Sequence, residues 1–214
     1  MKKIVIGTFL STSLLLSACS IGASNDDKLS DMLAKVYEEE QGYRDAQEKL
    51  AELEKKEQST FNEAMKLTQE QKDEVLLKVE ELNASLSERL TLLKEENESI
   101  NNAQESLSSF EEIVKDEKEE DVKTALTNLK TSLESRYDAH EVVSEEYEKL
   151  TDLQITLYDL LADEKTEQTQ LQEQVDKVNK QNDVVQSAIN DFNEATKKLN
   201  ETKSSVYDSL DEEK

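Results

Sequence analysis

From Val79 to Val114, apolar side chains recur at alternating steps of three and four. Val79, Leu82, Leu86, Leu93, Ile100, Ala103, Leu107, Phe110 and Val114 form the series, and Arg89 and Glu96 fill its two gaps. A repeat of 3.5 residues keeps one stripe of a helix turned toward a partner and winds the packed helices into a left-handed supercoil. A strand would show a period of two instead, and none is present here. A third segment continues the pattern through Val122, Leu126, Leu129, Leu133, Arg136, His140, Val143, Tyr147, Leu150, Gln154, Leu157 and Leu161. A fourth runs through Leu171, Val175, Val178, Asn182, Val185, Ile189, Phe192, Thr196, Leu199, Lys203, Val206 and Leu210. The first segment is looser: Leu29, Leu33, Val36, Tyr43, Leu50, Leu53, Phe61, Ala64 and Leu67.

Composition agrees with the pattern. There is no proline, and Gly42 is the one glycine beyond Gly22. Turns of a β-protein draw on both residues, so a sheet fold is excluded. High acidity with few aromatics is also a mark of disorder, but a disordered chain has no need of four apolar seams. Thr68-Gln69-Glu70-Gln71 has the form of a capping box and marks a helix start. The acidic run Glu111 to Asp121 interrupts the seams and predicts a turn at 116–119. Asp163 and Thr166 offer caps for another turn. The expected fold is therefore all-α, an elongated antiparallel bundle of four long helices with coiled-coil-like heptad packing. If one break is false, two segments merge and a spectrin-like three-helix bundle results. Helices of roughly 40 to 46 residues would be about 60 to 70 Å long.

The N-terminus has a different character. Lys2 and Lys3 precede an apolar run, Ile4 to Leu16, that is shorter than the roughly 20 residues a permanent membrane span requires. Leu16-Ser17-Ala18-Cys19 follows, and Cys19 is the single cysteine of the chain. This order is similar to the lipobox of bacterial lipoproteins, in which the peptide is cut between Ala18 and Cys19 and the thiol is diacylated. Two acyl chains give a stable anchor where one gives marginal binding. An intrachain disulfide is excluded for want of a partner. The expected organisation is a signal peptide over 1–18, a lipidated cysteine with a polar tether over 19–27, and a single helical extracytoplasmic domain over 28–214.

Formal charge is −24. Loss of Lys2 and Lys3 with the leader takes the mature chain to about −26. Phosphate binding needs a basic surface, so nucleic acid is excluded as a partner. Direct electrostatic adhesion to anionic lipid or anionic wall polymer is disfavoured for the same reason.

Polar residues at seam positions are the remaining candidates. Arg89, Glu96, Arg136 and Asn182 read as a structural polar seam, which costs stability but fixes register. Folding back at a turn near residue 117 sets Arg136 level with Glu96, so a partly buried pair is expected there. His140 lacks a second histidine or a neighbouring cysteine, so it makes no transition-metal site and is expected in the core with a hydrogen-bond partner. The six tyrosines are expected at bundle edges with rings packed and hydroxyls wet; a sugar-stacking surface is the competing reading. No nucleophile elbow, phosphate loop, zinc motif or Cys-x-x-Cys is present, so no catalytic residues, metal or cofactor are expected.

Two stretches carry a family resemblance: Ser135-Arg136-Tyr137, and Asp191 to Asn200 (DFNEATKKLN) leading to Val206-Tyr207. With the lipobox, the acidity and the helices, the chain resembles the YkyA family of cell-wall-binding lipoproteins of low-GC Gram-positive bacteria. The resemblance implies an all-helical domain on the outer face of the cell membrane and brings no catalytic or ligand residues with it. The expected function is a non-enzymatic structural or wall-associated interaction module, held to the membrane by lipid on Cys19. The alternative is a helical adaptor or sensor that recruits an envelope protein. The sequence leaves the oligomeric state open, since an exposed heptad face can also pair with a second copy.

Overall fold

Every heptad segment becomes a helical rod. The computed structural model of the protein describes residues 25–211. The first rod consists of α1 (Asn25–Glu39) and α2 (Gln41–Ala64). The second begins with a 3₁₀ turn at Gln69–Gln71 and continues as α3 (Lys72–Glu105), a 3₁₀ stretch at Ser106–Ser109 and α4 (Phe110–Asp116). The third and fourth are α5 (Glu120–Ala162) and α6 (Gln168–Asp211). Among the described residues there is no strand, and the three-helix alternative is not the fold.

Local chemistry places the breaks. The Thr68 N–H donates to Gln71 Oε1 at 3.2 Å, which is the backward half of the expected capping box. At the second break, Glu117 Oε1 accepts the N–H groups of Lys118 and Glu119. At the third, Asp163 Oδ1 accepts the Lys165 N–H, and Gln170 Oε1 accepts the Glu167 N–H. Thr166, expected as a cap, does not act as one. Gln170 serves the next helix instead, and the Thr166 hydroxyl is buried without a hydrogen-bond partner.

Two interruptions fall inside rods. At Glu40 the ladder is opened by a side chain from another helix. Ser99 Oγ accepts the Tyr43 N–H at 3.0 Å and donates to the Glu39 carbonyl. A hydroxyl thus stands where a regular helix would bond Tyr43 directly to Glu39, which is one recognised cause of helix distortion. The second interruption is the 3₁₀ stretch at Ser106–Ser109. With three residues per turn, the seam advances from Leu107 to Phe110 to Ile113, and Ile113 is the buried residue. Val114, expected on the seam, is displaced to a half-buried position.

The helices build two compact units. One comprises Asp45–Glu95 and Val142–Ile189; the other comprises 25–44, Glu96–Glu141 and 190–211. Within the first unit, α2 and α3 run antiparallel, since Glu63 meets Lys78 while Glu57 meets Ser85 and Arg89. Likewise Leu153 and Glu146 of α5 meet Gln174 and Gln181 of α6. Its core contains Leu50, Phe61, Leu82, Leu86, Leu93, Leu157, Val185 and Ile189. Within the second unit, Lys28 of α1 meets Asp116 at the end of α4, and Lys130 of α5 meets Glu111 of α4. Its core contains Leu29, Val36, Ile100, Phe110, Leu126, Leu129, Leu133, Phe192 and Val206. Each such side chain contributes about 1.5–3 kcal/mol on burial, enough in sum to hold charged groups inside these narrow cores.

Candidate functional site

The first unit buries a charged layer around Arg89, which is 1% exposed. Its Nη1 lies 2.7 Å from Glu57 Oε1, and its Nε donates to the Tyr147 hydroxyl at 2.8 Å. Tyr147 in turn donates to Glu54 Oε1 at 2.6 Å. Glu57 also receives the Tyr158 hydroxyl at 2.6 Å, the Ser85 hydroxyl at 3.0 Å and Gln154 Nε2 at 3.3 Å. Burial alone would lower the Arg89 pKa, but Tyr147, Glu57 and Glu54 hold it above its ordinary value. Burial, with Glu57 beside it, raises that of Tyr158. A cavity of about 50 Å³ adjoins this layer, lined by Gln58, Asn182 and Ile189 among others, and the buried Oε1 of Gln58 has no hydrogen-bond partner.

The second unit buries its own layer around Arg136. Nη1 and Nη2 grip the two oxygens of Glu40 at 2.6 and 3.2 Å, and Nε donates to Thr196 Oγ1 at 3.2 Å. Tyr137 donates to Glu40 Oε1 at 3.2 Å. Beside this, His140 Nε2 and Glu96 Oε1 are 2.6 Å apart. Tyr43, His140 and Phe192 stack edge to face at 5.6 to 6.0 Å, and the Arg136 guanidinium sits 5.0 Å over the Phe192 ring. Cations over aromatic faces are stabilised by the ring quadrupole, more so when desolvated.

Arg89, Glu96 and Arg136 are thus buried as the seam positions require, and Asn182 is half-buried on the wall of the small cavity. The expected pairing needs correction. The guanidinium of Arg136 closes on Glu40, and Glu96 lies against His140. The reason is that the first helix also carries carboxylates at seam positions, and Glu40 presents both oxygens to the guanidinium fork. The tyrosines need correction too. Tyr43, Tyr137, Tyr147 and Tyr158 are buried, and the hydroxyls of the last three donate to glutamates, buried Glu40 and Glu57 and half-buried Glu54. Sequence reasoning missed Glu40, Glu54 and Glu57. Cys19 and Ala18 lie outside the described residues.

Two concave features lie outside the charged layers. In the first unit, the turns 65–68 and 163–167 border a cup of about 450 Å³. Leu67, Val75, Leu76, Leu160, Leu161 and Leu171 line it, with Asp163, Glu164, Glu167 and Lys72 at the polar positions; Lys72 is paired with Glu164. In the second unit, a shallow groove of about 860 Å³ follows α6 from Asn190 to Ser204.

Four long helices with ionic layers sealed in their seams define an all-α protein of the helical-bundle class. The chain belongs to the YkyA family, described as "Putative cell-wall binding lipoprotein", whose sequence profile matches residues 24–209. It is also similar to the protein named "Uncharacterized lipoprotein YkyA" of Bacillus subtilis (strain 168), with 29% identity over 205 residues, 96% of this chain and 92% of the relative. No solved structure matches it. No helix among the described residues is long and apolar enough to cross a membrane.

Proposed function

We propose that this chain is a lipid-anchored extracytoplasmic protein that associates with the cell wall through its outer helix faces and performs no catalysis. Cys19, exposed as the first residue after cleavage behind Ala18, carries the anchor. One observation supports the reading most. The side chains with chemical potential, Arg89, Arg136, His140 and their glutamates, are turned inward and engaged with one another, which leaves contact work to the surface. The family description supports the wall as partner. Because wall polymers are anionic and the chain carries −24, contact requires divalent bridging or a locally neutral surface. The test is Cys19→Ala followed by cell fractionation. The anchored reading expects the variant to leave the membrane fraction or to keep its leader; an unchanged, processed membrane protein would overturn it.

The apolar cup of the first unit favours a second reading, an adaptor. Its leucines with Asp163 and Glu167 at the rim suit the apolar face of a basic amphipathic helix from an envelope protein. In-cell crosslinking from a residue at the cup, lost on Leu76→Asp, would favour this over the wall.

A further inference from the structure

Lys203 occupies a seam position of α6, between Leu199 and Val206, and is 9% exposed. Among the described residues the buried basic side chains are Arg89, Arg136, His140 and Lys203. The first three each meet a buried glutamate. Lys203 has neither an ion pair nor a hydrogen bond among the described residues.

The second unit, in which it lies, has no acid to spare. The buried carboxylates there are Glu40 and Glu96, and Arg136 and His140 engage them both. Asp26 acts on Tyr207, while Thr196 meets the same Arg136 that grips Glu40. Lys203 falls between those two levels of α6. The buried side chains of α1 between them, Leu29, Met32, Leu33 and Val36, are all apolar.

Lysine is almost never buried without a partner, and a leucine at this position would complete the seam. The Lys203 Nζ is not one of the polar atoms sealed from water without a partner. Its stem therefore packs in the seam while its head reaches the edge. Burial, with no carboxylate to oppose it, holds its pKa below the ordinary value for lysine. Lys78, Lys130 and Lys149, each hydrogen-bonded to a glutamate, are shifted the other way. A desolvated lysine without a counter-charge keeps more of the neutral amine, which is the nucleophilic form.

We propose that Lys203 is an acylation site, whose Nζ takes a small activated acyl group. The unprotonated Nζ attacks the carbonyl carbon and a C–N bond forms. The bond from that carbon to the leaving oxygen or sulfur breaks, the leaving group departs with the electron pair, and the proton of the amine goes to water. The product is a neutral amide. On the surface, such a change removes a solvated cation and makes a chain of −24 more acidic. At Lys203 it removes a buried cation that lacks a counter-charge, so acylation tightens the seam of the second unit.

The experiment treats the full-length lipidated protein, in detergent, with trace acetic anhydride across a pH series. The protein is then unfolded, labelled to completion with the heavy isotope and read by peptide mass spectrometry. Lys203 is labelled in the folded protein. At about pH 8 it reaches a larger share of its rate at about pH 11 than Lys78, Lys130 or Lys149 do, a ratio that cancels differences in access. Placing Nε-acetyl-lysine at position 203 raises the melting temperature by about 2–4 °C. Lys203→Met does the same, whereas Lys203→Arg, which keeps the charge, and Nε-acetyl-lysine at position 130 do not. Labelling of Lys203 only after unfolding would overturn the site. So would a pH profile that coincides with those of the paired lysines or lies above them. A melting temperature that is unchanged or lowered by the acetyl group at position 203 would overturn the tightening of the seam.

Discussion

Arg89 and Arg136 are both buried, both lie over a tyrosine ring and both end on a glutamate, yet their surroundings differ. Glu57, which faces Arg89, also accepts from Tyr158, Ser85 and Gln154. Glu40, which faces Arg136, has Tyr137 as its other donor in the layer. One carboxylate is held by many neutral donors and a single guanidinium nitrogen; the other is held chiefly by the two-pronged fork of one arginine. Packing differs as well. The Arg136 layer is closed by Tyr43, His140 and Phe192, whereas the Arg89 layer adjoins the small cavity. The comparison teaches that the same device, a charge pair placed in a seam, can be made robust through redundancy or through geometry. The two constructions should fail differently.

The largest effect is expected from removing the arginines. Deleting one partner of a buried pair leaves a stranded charge and costs about 3–5 kcal/mol. Arg136→Ala should sit near the upper end, because Glu40 loses its main donors. Arg89→Ala should sit near the lower end, because Glu57 keeps three. Urea unfolding of the two variants checks this, and the reverse order would break the comparison.

Alkali gives a smaller effect that both layers share. Tyr43, Tyr137, Tyr147 and Tyr158 all have their pKa raised, first by burial and then by the glutamates nearby. In the unfolded chain these phenols lose their protons near pH 10.0, the ordinary value for tyrosine, while the native state keeps them. Above that pH the unfolded state binds fewer protons, so stability falls as pH rises, by about 1.4 kcal/mol per tyrosine per pH unit. Each Tyr→Phe substitution should remove its share of that slope. Stability that stays flat between about pH 10 and pH 11 would contradict the buried hydroxyls.

The smallest effect sharpens the difference in packing. Gln58→Met removes the unpartnered Oε1 and fills part of the cavity in the first unit. A gain of about 0.5–1 kcal/mol is expected, seen as a rise in melting temperature. A loss would show that the amide oxygen is satisfied and the layer already well packed.

The seams of the second, third and fourth helices, and the turns at 116–119 and 163–167, were legible because heptads and caps are local signals. Much of the first helix was not. Its apolar residues read as a loose series, yet Glu40, Gln47, Glu54 and Glu57 complete unbroken steps of four and three from Leu29 to Ala64. Reading the seam by hydrophobicity alone turned those residues into gaps, and the partner for Arg136 was sought where only Glu96 was visible. A buried cation requires a counter-charge, so a search of all seams for acids in phase would have returned Glu40 and Glu57. Val114 failed for a different reason: a 3₁₀ stretch shifts the phase without leaving a mark in composition. The groove along α6 was invisible because an exposed polar stripe carries no hydrophobic period.

The account rests on association with the wall, and the direct measurement is co-sedimentation of the full-length protein with isolated cell walls. It is run with and without teichoic acid, and with Ca²⁺ or a chelator. The account predicts saturable binding that survives moderate salt and persists on walls without teichoic acid. A protein that stays in the supernatant under every condition would contradict it and direct attention to the apolar cup and a protein partner.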